Sequence, residues 1–221
     1  LKERKKLDVD DIKIEAPVEL EEVDFPFSIN AVPQWIFDRG FTASTLRLWG
    51  CGTDNNGSLG IPVNTLENTT VGWIKRHPAN MFPKYLYGPK DKFKKSLVLF
   101  GADKCIQQAK HLYLYIVEGS LDAMWLNQHG FNAVALLGLY LSKWQEKLLQ
   151  KVMSNGGYKE IVLCLDNDEA GQIGIEKLYP RVSKYFITSI CRLPSGYKDV
   201  QEIRDSKILI DAVNNRQTLL I

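Results

Sequence analysis

The stretch VLCLDNDEAG, residues 162–171, opens with four apolar residues in its first five and then sets Asp166, Asp168 and Glu169 in four consecutive positions before Gly171. A short apolar run that ends in turn residues reads as a buried strand. Carboxylates packed so closely repel and raise one another's pKa. A strand that delivers such a knot of negative charge calls for something positive at its end.

Outward from this stretch the chain alternates. LYLYIVEG (112–119), NAVALLG (132–138), EIVLCLDND (160–168) and YFITSICRLP (185–194) read as strands. Between them LDAMWLNQHG (121–130), SKWQEKLLQKVM (from Ser142) and EAGQIGIEKLYPRV (169–182) read as helices. Strand–helix alternation predicts an α/β fold, a parallel sheet flanked by helices with right-handed connections, over residues 111–204. Upstream, residues 25–110 are expected to form a smaller α+β basic subdomain. AVPQWIFDRGFTASTLRLWG (31–50) reads as two short helices, the first ended by Gly40 and the second capped by Thr42 or Ser44. GSLGIPVNT (57–65) and TTVGWIKRH (69–77) read as strands, PKYLYGPKDKFKKS (83–96) as a basic loop, and a short helix is expected near Leu99–Lys110. Residues 1–24 read as a linker or arm, and residues 205–221 as a helical tail.

The 221 residues are 45% hydrophobic and 24% charged, ordinary for a globular chain. No apolar run approaches the roughly 20 residues of a membrane span, and no signal-peptide pattern is present. The first residue is Leu1, which reads as a piece of a longer protein or a processed product. Cys51, Cys105, Cys164 and Cys191 are scattered, which argues against a zinc site and for a reducing cytoplasm. The net charge of +2 conceals an asymmetry: residues 1–24 hold five basic and nine acidic side chains, residues 72–110 nine basic and two acidic, residues 111–221 twelve of each. A basic surplus of that kind attracts polyanions, or else is simply a solvated lysine face.

In a sheet of this type ligands sit beyond the carboxyl ends of the strands. Glu118 ends the first strand, Asp122 lies one helical turn later, Asp166 and Asp168 end the third strand, and Asp199 follows the last strand in LPSGYKD. Five carboxylates from distant parts of the chain are thus expected on one rim. Oxygen-only ligands favour a hard cation, usually Mg²⁺, and two such ions about 3.5–4 Å apart can clamp a phosphoryl transfer. Two of the acids also have ordinary alternatives, Asp168 as a helix cap and Asp122 as a favourable charge at a helix N-terminus, whereas Glu118 interrupts an apolar run just before a glycine and is harder to explain in that way.

VEGSLDAMWLNQHGFNAVALLG with VLCLDNDEAGQIGIEKL resembles the Toprim domain of primases, topoisomerases and some nucleases. FDRGFTASTLRLWGCG, GSLGIPV with TVGWIKR, PKYLYGP and FKKSLVLFGADK are similar to the catalytic core of bacterial and phage DnaG-type DNA primases. The likeness runs over roughly residues 31–204, and the compact form is similar to phage members. It implies template-directed synthesis of short RNA primers on single-stranded DNA from ribonucleoside triphosphates, with Mg²⁺ or Mn²⁺ as cofactor and a replicative helicase as a partner. Glu118 and Asp122 are implied as catalytic acids. Glu118, Asp166, Asp168 and Asp199 are implied as metal ligands. Lys84 and Lys95 are implied as catalytic and, with Arg76, as contacts to nucleotide or template phosphates. Gly119 and Gly171 would keep the backbone tight around the site. Trp73, Tyr85 and Tyr87 either stack on bases or pack internally.

Three departures from the family pattern stand out. Gln201 replaces the second aspartate expected two residues after Asp199. The family's zinc-binding domain is not in this sequence, and its helical extension is reduced at most to SKILIDAVNNRQTLL. The same acidic rim would also suit a Toprim nuclease, or a non-catalytic single-stranded nucleic-acid-binding replication accessory protein.

Overall fold

The computed structural model describes residues 19–79, 81–107 and 111–218. The arm expected at residues 1–24 therefore lies, as far as residue 18, outside the described residues, as do the end of the helix expected to reach Lys110 and the last three residues of the tail. The chain divides into two compact units between Lys94 and Lys95, not near residue 110. Residues just after the division belong to the downstream unit because Gln145, buried there, donates from Nε2 to the carbonyls of Lys95 (3.1 Å), Val98 (2.9 Å) and Leu136 (3.2 Å).

In the upstream unit, helix α1 (Gln34–Asp38) and helix α2 (Ala43–Leu48) are short. Gly40 takes the left-handed conformation (φ 84°) that ends α1. Thr42 caps α2, its hydroxyl accepting from the Thr45 N–H at 3.2 Å. Strands β1 (Gly52–Thr53), β2 (Leu59–Asn64), β3 (Thr70–Arg76) and β4 (Tyr85–Gly88) form an antiparallel sheet in sequential order. Strand β4 corrects the expected loop: Tyr85 and Tyr87 pair with Arg76 and Ile74 across the ladder. Prolines and lysines around them masked a four-residue strand that only a partner strand makes worthwhile.

The downstream unit carries helix α3 (Ala102–Gln107) and then β5 (Tyr113–Val117), α4 (Ser120–Gln128), β6 (Ala133–Ala135), α5 (Lys143–Asn155), β7 (Glu160–Leu163), α6 (Glu169–Val182) and β8 (Ile187–Cys191). Helix α5 begins with a capping box: Ser142 Oγ accepts from the Gln145 N–H and Gln145 Oε1 from the Ser142 N–H, both at 2.9 Å. The sheet order is β6-β5-β7-β8-β9, parallel through β8. A fifth strand, β9 (Arg216–Gln217), follows helix α7 (Ser206–Asn214) and pairs antiparallel with β8. The tail expected to be helical thus also closes the sheet edge. Arg216 holds it there, its Nε donating to Glu160 Oε1 at 3.0 Å and its guanidinium lying 3.8 Å from the Tyr113 ring centroid. Strands β5 and β7 are almost wholly buried, as parallel strands covered on both faces should be.

The sheet order fixes where a site belongs. From β5 the chain crosses to β6 on one side and then returns past β5 to β7 on the other. The direction of winding reverses between β5 and β7, which opens a crevice at their carboxyl ends.

Candidate active site

Glu118 follows β5 directly, and Asp166 lies three residues beyond β7, so they flank that crevice. The Asp166 N–H donates to Glu118 Oε1 at 3.0 Å. Asp168 is the N-cap of α6, its Oδ1 accepting from the Gly171 N–H at 2.9 Å. Asp122 is at the third position of α4 and accepts from the Gly119 N–H at 3.2 Å. Asp199 follows β8 and caps a short 3₁₀ turn, Val200–Glu202, through the Glu202 N–H at 2.9 Å. The capping roles of Asp168 and Asp122 are therefore real, but they do not exhaust these residues. Each cap fixes a carboxylate at the rim.

The five carboxylates feel one another. Asp166 is pushed from 3.8 up to about 7 by desolvation and then by Glu118 and Asp199. Desolvation also raises Glu118, aided by Asp168 and Asp199. Asp122 is raised well above its ordinary value by desolvation, with Asp199, Asp166 and Glu118 adding to the shift. Asp168 alone is lowered, first by the Gly171 N–H and then by Lys198. Glu118, Asp122, Asp166, Asp168 and Asp199 are thus one electrostatic cluster.

Lys198 is the residue of this cluster that sequence reasoning missed. Its Nζ lies 3.1 Å from Asp168 Oδ2 and 3.9 Å from Asp166 Oδ2. It supplies the positive charge that VLCLDNDEAG calls for. The signal was a lysine directly preceding Asp199, but nothing local says that it folds back on the strand of residues 160–163. The fold makes it do so through the Asn167 N–H, which donates to the Lys198 carbonyl at 2.6 Å.

Gly171 is required by close approach. A Cβ there would lie 2.0 Å from the Asp166 carbonyl oxygen. A Cβ at Gly119 would lie 2.6 Å from Asp122 Oδ2. Both glycines let the helix starts crowd the rim.

The donor set suits a hard divalent cation, being oxygen-only and carrying more negative charge than Lys198 offsets. Among the described residues, no three acidic, His or Cys side chains already stand together as a coordination shell. The chemistry of the residues fits a metal, with Lys198 in the place of a counter-cation.

The basic residues are divided between the two units. Lys95 belongs to the downstream unit, in a 3₁₀ turn, Lys95–Leu97, with its side chain exposed and its pKa lowered by partial desolvation. Lys84 precedes β4 in the upstream unit and is exposed. Arg76 corrects its expectation: it is 1% exposed, at the end of β3, where side chains of neighbouring elements close over it. Its guanidinium lies 4.9 Å from the Tyr85 ring centroid and 5.8 Å from that of Trp35, and its Nη1 donates to the His77 carbonyl. It braces the sheet and is not presented to a phosphate. The aromatics interleaved with these cations pack internally: Trp73 lies edge-on to Phe27 at 5.6 Å and covers Gly88, while Tyr87 stacks on Phe93 at 6.3 Å.

Residues 115–204 match the family model described as Toprim-like. The DNA primase of Rickettsia felis is 36% identical over 143 residues, which cover 62% of this chain and 23% of that protein. The chain therefore spans about a quarter of the length of such relatives. The Aquifex aeolicus primase, solved with its zinc-binding and RNA polymerase domains, superposes with a TM-score of 0.71 at 23% identity, over 84% of this chain and 56% of that one. A DnaG primase catalytic domain solved bound to single-stranded DNA gives a TM-score of 0.67 at 19% identity, over 84% and 71%. The chain is thus related in sequence to the DNA primases and has the fold of their DnaG catalytic core, with a Toprim-like domain at residues 115–204.

Proposed function

We propose that this chain is a primase catalytic core, making short RNA primers on a single-stranded DNA template from ribonucleoside triphosphates by metal-dependent nucleotidyl transfer. The observation that carries this reading is the meeting of Glu118, Asp122, Asp166, Asp168 and Asp199 at the switch point of a Toprim-like sheet, with Asp166 raised to about 7.

Glu118, Asp166, Asp168 and Asp199 would hold Mg²⁺ or Mn²⁺, and Lys198 would give way to it. When bound, the ion neutralises charge developing on phosphate oxygens in phosphoryl transfer. The protein's own part is positioning and electrostatics. Glu118 Oε1 is engaged by the Asp166 N–H, so Oε2 is the atom that would take the proton of an attacking hydroxyl. Asp122 holds the Gly119 backbone, and with it the placement of Glu118. Lys84 and Lys95 would contact phosphates of template or nucleotide. A replicative helicase would be the partner in a bacterial or phage-infected cell. No helix among the described residues is long and apolar enough to cross a membrane.

The test is incubation of single-stranded DNA with ribonucleotides and Mg²⁺ or Mn²⁺. Short RNA products are expected. Shortened DNA would mean a nuclease, and retention without turnover a binding protein.

A further inference from the structure

Tyr140 stands out on the carboxyl edge of the parallel sheet: it is 71% exposed, on the connection that leaves β6. Single exposed aromatics are common. This one differs in how rigidly the backbone on either side of it is held. The Leu136 N–H donates to the Val117 carbonyl at 3.1 Å and the Gly138 N–H to the Glu118 carbonyl at 3.3 Å. Leu139 lies over Gly174 of α6, so closely that a Cβ on that glycine would be 2.9 Å from its Cδ2. Leu141 is fully buried and its carbonyl accepts from Arg181 Nη1 at 2.5 Å. Between these anchors the tyrosine ring is turned out to solvent, two residues from the backbone contact with Glu118.

A second observation joins this corner to a cation. Ser142 Oγ donates to the Ser96 carbonyl at 2.6 Å, and Trp144 Nε1 to the Leu97 carbonyl at 2.9 Å. With the Gln145 bonds, these tie the turn that carries Lys95 to the segment that carries Tyr140. The segment that carries an exposed ring and the turn that carries an exposed lysine are thereby fixed to each other, and the first of them is hydrogen-bonded to the Glu118 backbone. A ring and a cation on joined segments are the kinds of group that the two ends of a nucleotide call for.

We propose that Tyr140 is a stacking platform for a nucleobase at the edge of the Glu118 site, with Lys95, on the turn tied to the same segment, receiving a phosphate of that nucleotide. This deepens the proposed function and rests on it. A ring presented on a pinned backbone loses little freedom when a base stacks on it, and base–aromatic stacking corresponds to roughly 5- to 150-fold in affinity per base. The base belongs either to the incoming nucleotide or to the template.

The experiment is titration of the wild-type chain and of Tyr140→Ala, Tyr140→Leu and Tyr140→Phe with ATP and, separately, with oligo(dT), in Mg²⁺. The alanine and leucine variants should lose about 5- to 150-fold in affinity for one of the two probes, and the phenylalanine variant should recover it. Loss on ATP assigns the base to the incoming nucleotide, and loss on oligo(dT) to the template. Inorganic tripolyphosphate carries the charge without a base and should bind wild type and Tyr140→Ala alike. Because the ring is exposed, melting temperatures should not move. Alanine and leucine variants within twofold of wild type on both probes would overturn the inference while leaving primer synthesis by the wild type to support the function. A wild-type chain that binds neither probe would overturn both.

Discussion

Glu118 and Asp166, 48 residues apart in sequence, are joined by one hydrogen bond, the Asp166 N–H donating to Glu118 Oε1 at 3.0 Å. The bond spans the crevice between the two strands where the sheet reverses its winding. It fixes one oxygen of Glu118 and brings the two residues close enough that the Glu118 carboxylate raises the pKa of Asp166, while the Asp166 N–H pulls against the rise that desolvation gives Glu118.

Glu118→Gln keeps the acceptor and removes the charge. Primer synthesis should fall by at least about a hundredfold, as for loss of a general acid–base group. Template binding should persist. Relief of repulsion should bring the Asp166 pKa down from about 7, which a carboxyl titration by NMR would read. A variant that still makes primers at near-normal rate would remove Glu118 from the chemistry.

Without divalent cations, stability should fall as pH rises from about 4 to about 7. Folding lifts the Asp166 pKa from 3.8 to about 7, so in that window the folded state binds more protons than the unfolded one. Stability then decreases with pH, because its slope follows the protons bound unfolded minus those bound folded. Glu118 and Asp122, also raised, act in the same sense, while the lowered Asp168 acts oppositely and only at more acid pH. Urea unfolding in EDTA at pH 5 and pH 8 measures this. Asp166→Asn should flatten the dependence, and an unchanged profile in that variant would refute the assignment.

Lys84→Ala removes an exposed charge. Single-stranded DNA binding should weaken, and the slope of log affinity against log salt should flatten by about 0.7 for each phosphate that is no longer neutralised. Asp166→Asn should instead leave template binding in metal-free buffer the same or stronger, since a repulsive charge is gone. Fluorescence anisotropy across a salt series tests both. A Lys84→Ala protein with the wild-type slope would take Lys84 out of the interface.

Gly171→Ala places a methyl group 2.0 Å from the Asp166 carbonyl oxygen, and that neighbour is backbone. Helix α6 must then move away from the rim. We expect a loss of about 1–3 kcal/mol in stability, the range for overpacking, together with weaker binding of Mn²⁺ followed by EPR. Wild-type stability with wild-type Mn²⁺ affinity would show that the rim tolerates the shift.

Gln201 stands where the family resemblance led us to expect an aspartate, and it is only 2% exposed. Gln201→Asp buries a new carboxylate, which should lower the melting temperature in EDTA. If the position faces the metal shell, millimolar Mg²⁺ should restore stability in the variant and shift its activity titration to lower concentration. A melting temperature that stays low in Mg²⁺ would place residue 201 outside that shell.

The sequence by itself determined the alternation of strands and helices from residue 112 onward, and with it the rim. Burial on both faces makes parallel strands near-continuous apolar runs, so a carboxylate that ends one, as Glu118 and Asp166 do, is visible without coordinates. The starts of α2, α5 and α6 were legible for a similar reason, because Thr42, Ser142 and Asp168 satisfy N–H groups within their own turn. The tertiary structure alone decided what depends on distant partners. Tyr85–Gly88 becomes a strand only because β3 offers it a ladder, and Arg216–Gln217 only because β8 does. Arg76 carries the same charge in sequence as Lys84, yet Trp35 and Tyr85 close over it while Lys84 stays exposed. Lys198 reaches Asp168 because the loops after two neighbouring strands share a backbone hydrogen bond. Local pattern fixes where charge enters the chain; only the packing of remote segments decides which charges meet.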